Sequence, residues 1–206
     1  MLGFYNYTMI PSVLSMFCGV LSVAFATSGS PLGSVLFLMI AGAIDVFDGK
    51  IATTKELNMA EKRFGYITDA LGDMICYGLV PVIVAFVTNP LLWWQATLLA
   101  LYPVAVMIRL AYVCVCQEAR LAQGSPKFRY YEGFPISYIS LILPLIYLIH
   151  SIDTVLFSWV YFIVLLALIP LMLIKFRIAK PRFKVSLYIL GFGILEMTLL
   201  LIFGKN

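Results

Sequence analysis

Residues 45–73 read DVFDGKIATTKELNMAEKRFGYITDALGD, from Asp45 to Asp73. Four carboxylates, Asp45, Asp48, Asp69 and Asp73, lie inside sequence that otherwise reads as membrane-spanning. A charged side chain at bilayer depth is costly, and those that are kept pair with one another, bind ions or do chemistry. Asp45 and Asp48 stand i, i+3 and share one face of a helix. Gly65, Asp69 and Asp73 stand i, i+4, i+8 and form a stripe on the next helix. The polar stretch from Thr53 to Phe64 reads as a turn, so two antiparallel helices bring their acidic faces together at one end. Four oxygen donors without His or Cys beside them favour a hard cation: Mg2+, Mn2+ or Ca2+. Two such ions suit phosphoryl transfer, in which attacking and leaving oxygens are clamped together. Gly49, Ala52, Gly65 and Gly72 are small enough to let a phosphate approach the backbone. Helix capping, or pairing with Lys50, Lys62 and Arg63, would account for one or two of these carboxylates but poorly for four in register.

The rest of the chain is scaffold for that stretch. It has 206 residues, 63% hydrophobic and 12% charged, where a soluble domain carries about 45–50% apolar and about 25% charged residues. The class is therefore a polytopic membrane protein. With about 20 apolar residues needed per crossing, seven helical stretches are expected, at roughly 8–27, 31–54, 64–88, 91–116, 134–150, 154–175 and 185–203. No repeat, low-complexity tract or long linker divides them, so one all-α domain over residues 1–206 is expected. The N-terminal MLGFYNY has no basic region or cleavage site, which makes the first stretch a retained helix.

Twelve of the 14 Lys and Arg residues fall in three connections, between stretches two and three, four and five, and six and seven. The positive-inside rule puts these loops, and with them the acidic cluster, on the cytoplasmic side. The same distribution argues against nucleic-acid binding. Cys18, Cys76, Cys114 and Cys116 lie in apolar stretches and read as small core residues. His150 receives no role.

The acidic stretch resembles the signature of the CDP-alcohol phosphatidyltransferases, D-x2-D-G-x2-A-R-x(8–9)-G-x3-D-x3-D. Here Asp45, Asp48, Gly49, Ala52, Gly65, Asp69 and Asp73 stand at its fixed positions, and Thr53 stands where the family has Arg. The gap from Thr53 to Gly65 is 11 residues, which resembles the phosphatidylserine synthase branch. GFYNYT near the N-terminus, FGYITDALGDMICYGLVP, RLAYV around Arg109 and YYEGFPIS at Tyr130–Ser137 are similar to the same branch. The resemblance implies a six-helix core, so that one of the seven stretches is an addition, and a homodimer. It implies transfer of the phosphatidyl group of CDP-diacylglycerol to L-serine, giving phosphatidylserine and CMP.

By the same resemblance, Asp45, Asp48, Asp69 and Asp73 hold two Mg2+ or Mn2+ ions, with Asp73 also the base that takes the serine hydroxyl proton. Gly49, Ala52, Thr53 and Gly65 would bind the CDP-lipid. Arg109, Lys127 and Arg129 are candidates for the acceptor or the phosphate, against a structural ion pair for Arg109 and a plain solvated loop for the other two. Glu196 is expected at a helix or dimer contact outside the site. The setting implied is a bacterial or archaeal cell membrane with the site facing the cytoplasm. Competing readings are another acceptor alcohol (glycerol phosphate, inositol phosphate), an inactive homologue, motivated by Thr53, and a divalent-cation transporter. The transporter would need carboxylates spread along a path through the bilayer.

Overall fold

The computed structural model describes residues 3, 4, 6–51, 54, 55, 57–88, 92–123, 130–175, 177–179 and 183–204. It is an all-helical membrane bundle with one short two-stranded ribbon. A 3-10 turn leads into α1 (Ile10–Thr27), which turns back at Gly29, in the left-handed region at φ 82°, into α2 (Pro31–Ile51). The contact between these two helices follows from α1's small residues. Ser12, Ser15, Gly19, Ser22 and Ala26 recur at alternating steps of three and four and are all buried. In lipid, where burying apolar surface drives no association, close packing and interhelical hydrogen bonds hold helices together. Ser22 Oγ accordingly donates to the Ser34 carbonyl at 2.7 Å, and Ser15 Oγ to the Ala41 carbonyl at 3.2 Å.

Helix α3 (Met59–Asp73) starts where Asn58 and Glu61 form a reciprocal cap. The Glu61 N–H donates to Asn58 Oδ1 at 2.8 Å, and the Asn58 N–H to Glu61 Oε2 at 2.9 Å. That cap opens the helix before the apolar run begins, so the third stretch starts at residue 59 rather than at the expected 64. Past Asp73 the helix widens into a π-helical turn, Met74–Leu79, and continues as α4 (Val80–Thr88).

Pro81 explains part of that irregularity. Lacking an N–H, it cannot bond the carbonyl of Tyr77, four residues earlier. The Tyr102 hydroxyl takes that carbonyl instead, at 2.8 Å, and the Tyr161 hydroxyl donates to the Pro81 carbonyl at 3.0 Å. Tyr77, Tyr102 and Tyr161 are all buried in the core, with Tyr147 and Phe157 beside them.

The fourth stretch is two helices, α5 (Trp93–Leu99) and α6 (Leu101–Gln123), with Pro103 in the first turn of the second. Helix α6 also runs past the expected end at 116, because its last turns are polar and leave the apolar run. After β1 (Tyr130–Glu132) come a 3-10 turn at Ile136–Tyr138, α7 (Ile139–His150) and α8 (Thr154–Leu173). Asp153 caps α8 by accepting from the N–H groups of Val155 and Leu156 at 2.8 and 3.1 Å. Strand β2 (Arg177–Ala179) precedes α9 (Phe183–Phe203).

Five helical segments are long and apolar enough to cross a membrane: 7–27, 31–48, 59–88, 93–122 and 154–173. The stretches 136–150 and 187–203 are shorter apolar helices. All seven expected stretches are thus helical. Strands β1 and β2 pair antiparallel, with Tyr130 opposite Ala179 and Glu132 opposite Arg177. Hydropathy gives no sign of this ribbon, which joins the connections after α6 and α8 at one end of the bundle. The Arg63–Glu118 ion pair, 3.0 Å, ties the start of α3 to the last turns of α6.

Candidate active site

The last turns of α2 and the last turns of α3 bring their aspartates together. One carboxylate oxygen each from Asp45, Asp48 and Asp69 lies within 4.8 Å of the others, and all three residues are half-buried. Oxygen-only donors converging from two helices match what a hard divalent ion requires. Among the described residues no Lys or Arg is paired with any of the four aspartates, and Arg63, one of the cations considered as a partner, is engaged by Glu118. Asp73 stands on the same α3 stripe as Asp69, one turn further from the cap, and is not part of the three-residue group.

The neighbouring helices supply the hydroxyls that orient these carboxylates. Ser12 of α1 donates to Asp48 Oδ2 and also reaches Asp69. Ser137, in the turn before α7, lies beside Asp45. Metal-binding carboxylates are commonly held by such outer hydrogen bonds. Neither serine stood out in the sequence. The alternating small-residue steps on α1, of which Ser12 is the first, are the signal by which Ser12 was findable; Ser137 had none beyond its place in YYEGFPIS.

The glycines divide in function. Around Gly65 no atom of the described residues lies within 4 Å of where a Cβ would stand, which leaves that part of α3 open to a ligand. Gly72, expected to offer similar room, instead packs on α1: its Cβ position is 3.5 Å from Met16 Cβ and 3.8 Å from the Ser12 carbonyl. It makes space for the close approach of α1. Gly49 lies in the last turn of α2. Ala52, Thr53, Lys127 and Arg129 lie outside the described residues.

Arg109, on α6, is buried, and its guanidinium lies under the connection leading to α7. A Cβ on Gly133 would be 3.1 Å from Arg109 Nε and 3.4 Å from Cζ, and Gly133 has φ 82°. Only glycine both adopts that conformation readily and lets the chain cross the guanidinium so closely. Glu196, on α9, is buried and is not part of the three-carboxylate group.

Comparison with known proteins agrees with this geometry. The model of the CDP-alcohol phosphatidyltransferase family matches residues 6–179. The CDP-diacylglycerol–serine O-phosphatidyltransferase of Mycobacterium leprae (strain TN) is 34% identical over 112 residues, which is 52% of this chain and 36% of that protein. Proteins of the same name from Mycobacterium bovis (strain ATCC BAA-935 / AF2122/97) and Mycobacterium tuberculosis (strain ATCC 25618 / H37Rv) are each 31% identical over 136 residues, 63% of this chain and 46% of theirs. The matched region is less than half the length of these curated relatives.

Proposed function

Because the chain belongs to the CDP-alcohol phosphatidyltransferase family, we propose that it transfers the phosphatidyl group of CDP-diacylglycerol to L-serine, releasing CMP and leaving phosphatidylserine in the membrane. The observation that carries the reading is the meeting of Asp45, Asp48 and Asp69 within 4.8 Å at the junction of α2 and α3. The choice of serine rests on the names of the mycobacterial relatives.

In this reading Asp45, Asp48 and Asp69, with Asp73 beside them, hold divalent metal, Mg2+ or Mn2+, as two ions. When bound, the metal neutralises charge on the diphosphate and on the departing CMP. The open backbone around Gly65 receives the CDP end of the lipid, a role that Gly49, Ala52 and Thr53 of the signature are proposed to share. Asp73, outside the three-carboxylate group, accepts the proton of the serine hydroxyl as that oxygen bonds to the phosphorus carrying diacylglycerol. The phosphorus–oxygen bond to CMP breaks in the same displacement. Arg109, Lys127 and Arg129 are assigned to the serine carboxylate or the phosphate, where a guanidinium makes a two-pronged contact. The site faces the cytoplasm of a bacterial or archaeal cell, and the 206 residues act as one domain in a homodimer.

A transporter would need acidic residues along a path through the bundle. Four of the carboxylates gather at one end instead, and no observation favours that alternative. The test is an acceptor panel: protein purified in detergent with Mn2+ and CDP-diacylglycerol, CMP release measured with serine, glycerol 3-phosphate or inositol phosphate. Release with serine alone is expected, and Asp73→Asn should abolish it. Equal release with glycerol 3-phosphate would overturn the serine assignment. No release with any acceptor, before and after Thr53→Arg, would overturn the enzymatic reading of this chain.

A further inference from the structure

The α3 stripe Gly65–Asp69–Asp73 continues, at the same step of four, to Tyr77 in the π-helical turn. Tyr77 is fully buried, and its hydroxyl has no hydrogen-bond partner among the described residues. A buried hydroxyl left without a partner is a free-energy cost, and buried polar groups in folded proteins are nearly always satisfied. The Tyr77 hydroxyl is 3.7 Å from where a Cβ on Gly42 would stand, and Gly42 lies one turn before Asp45 on α2. Gly42 and Asp45 stand i, i+3 on α2 and share one face of that helix. Ser140 closes the same floor, with its Oγ donating to the Ser137 carbonyl at 2.6 Å. Its hydroxyl is therefore committed elsewhere. Asp48 already has a hydroxyl donor in Ser12.

We propose that Tyr77 is a positioning residue for the metal-loaded site, its hydroxyl donating a hydrogen bond to Asp45 from beneath once that carboxylate engages an ion. Tyr77 does not touch substrate in this role. It fixes the carboxylate that does the holding. A phenol suits the position because its ring is buried in the apolar core while its single O–H lies against α2 beside Gly42. This rests on the metal-binding reading given above for Asp45, Asp48 and Asp69.

The experiment compares wild type, Tyr77→Phe and Asp48→Asn, each purified in detergent and stripped with a chelator. Mn2+ affinity is read by electron paramagnetic resonance and thermal unfolding is followed without metal. Tyr77→Phe should bind Mn2+ about tenfold more weakly, the loss typical of an outer hydrogen bond to a ligand. Its metal-free unfolding midpoint should equal or exceed that of wild type, since the hydroxyl has no partner to lose. Wild-type Mn2+ affinity in Tyr77→Phe would overturn the proposal. So would a lowered metal-free midpoint or failure to fold, because either assigns the hydroxyl to structure. Asp48→Asn reports on the underlying reading separately. If Asp48→Asn binds Mn2+ as wild type does, the metal site itself is wrong and the Tyr77 role falls with it. If only Tyr77→Phe is without effect, the site stands and Tyr77 is excluded from it.

Discussion

Ser12 is the residue on which two of the carboxylates converge. It sits on α1, donates to Asp48 and reaches Asp69, and so couples α2 to α3 through a third helix. Its removal leaves both carboxylates free to turn and repel one another, since like charges at close range disfavour joint ionisation. In Ser12→Ala, the Mn2+ concentration giving half-maximal CMP release should rise about tenfold, within the range seen for lost outer-shell partners. The maximal rate should change less, because Asp73, the proposed base, is untouched. A titration unchanged from wild type would show that Ser12 serves only the α1–α2 packing. At this scale the carboxylates were legible in the sequence, since a helix turns i, i+3 and i, i+4 spacing directly into a shared face. Ser12, Ser137 and Tyr77 were not, for two reasons. Ser12 lies 36 residues from the Asp48 it contacts, and a serine or tyrosine in an apolar run looks the same whether it faces lipid, a helix or a metal site.

The hydropathy of the elements was equally legible, and their interruptions were not. Nothing in the apolar run 64–88 marks the π-helical turn except Pro81, and a proline in a membrane helix is tolerated when neighbours satisfy the carbonyl it orphans. That condition is met by Tyr102, whose hydroxyl reaches the Tyr77 carbonyl at 2.8 Å. Tyr102→Phe keeps the ring and leaves a buried carbonyl unsatisfied, which should cost about 1–3 kcal/mol. Thermal unfolding in detergent checks this. The two residues should also be coupled: in Pro81→Ala, the restored N–H can supply the missing bond, so adding Tyr102→Phe should cost less than it does in wild type. Equal costs in both backgrounds would mean that Pro81 is not the reason Tyr102 is needed there. The β1–β2 ribbon escaped the sequence for the opposite reason, since three-residue strands carry too little pattern to separate from loop.

Across the whole molecule, the family match at residues 6–179 takes in every helix up to α8 and stops at β2, so α9 is the helix outside the shared core. Among the described residues five candidate spans and the shorter apolar helix 136–150 precede it. Helix α9 packs on α7 and α2, the helix that carries Asp45 and Asp48. It therefore braces the scaffold of the site without contributing to it. Glu196 makes this bracing unusual: it is 1% exposed, and both carboxylate oxygens lack a hydrogen-bond partner among the described residues. A buried polar group in that state opposes folding, whereas an apolar side chain of similar size would favour it. Glu196→Leu should therefore raise the unfolding midpoint, by an amount corresponding to about 1–3 kcal/mol. Glu196→Gln, which keeps the size and an unsatisfied polar end, should gain much less. Serine-dependent CMP release should persist in both, because no described residue of α9 belongs to the acidic group. A lower midpoint in Glu196→Leu would mean instead that the carboxylate has a partner in the membrane, such as a second copy of the chain or a polar lipid group, and that α9 is a site of assembly rather than a brace.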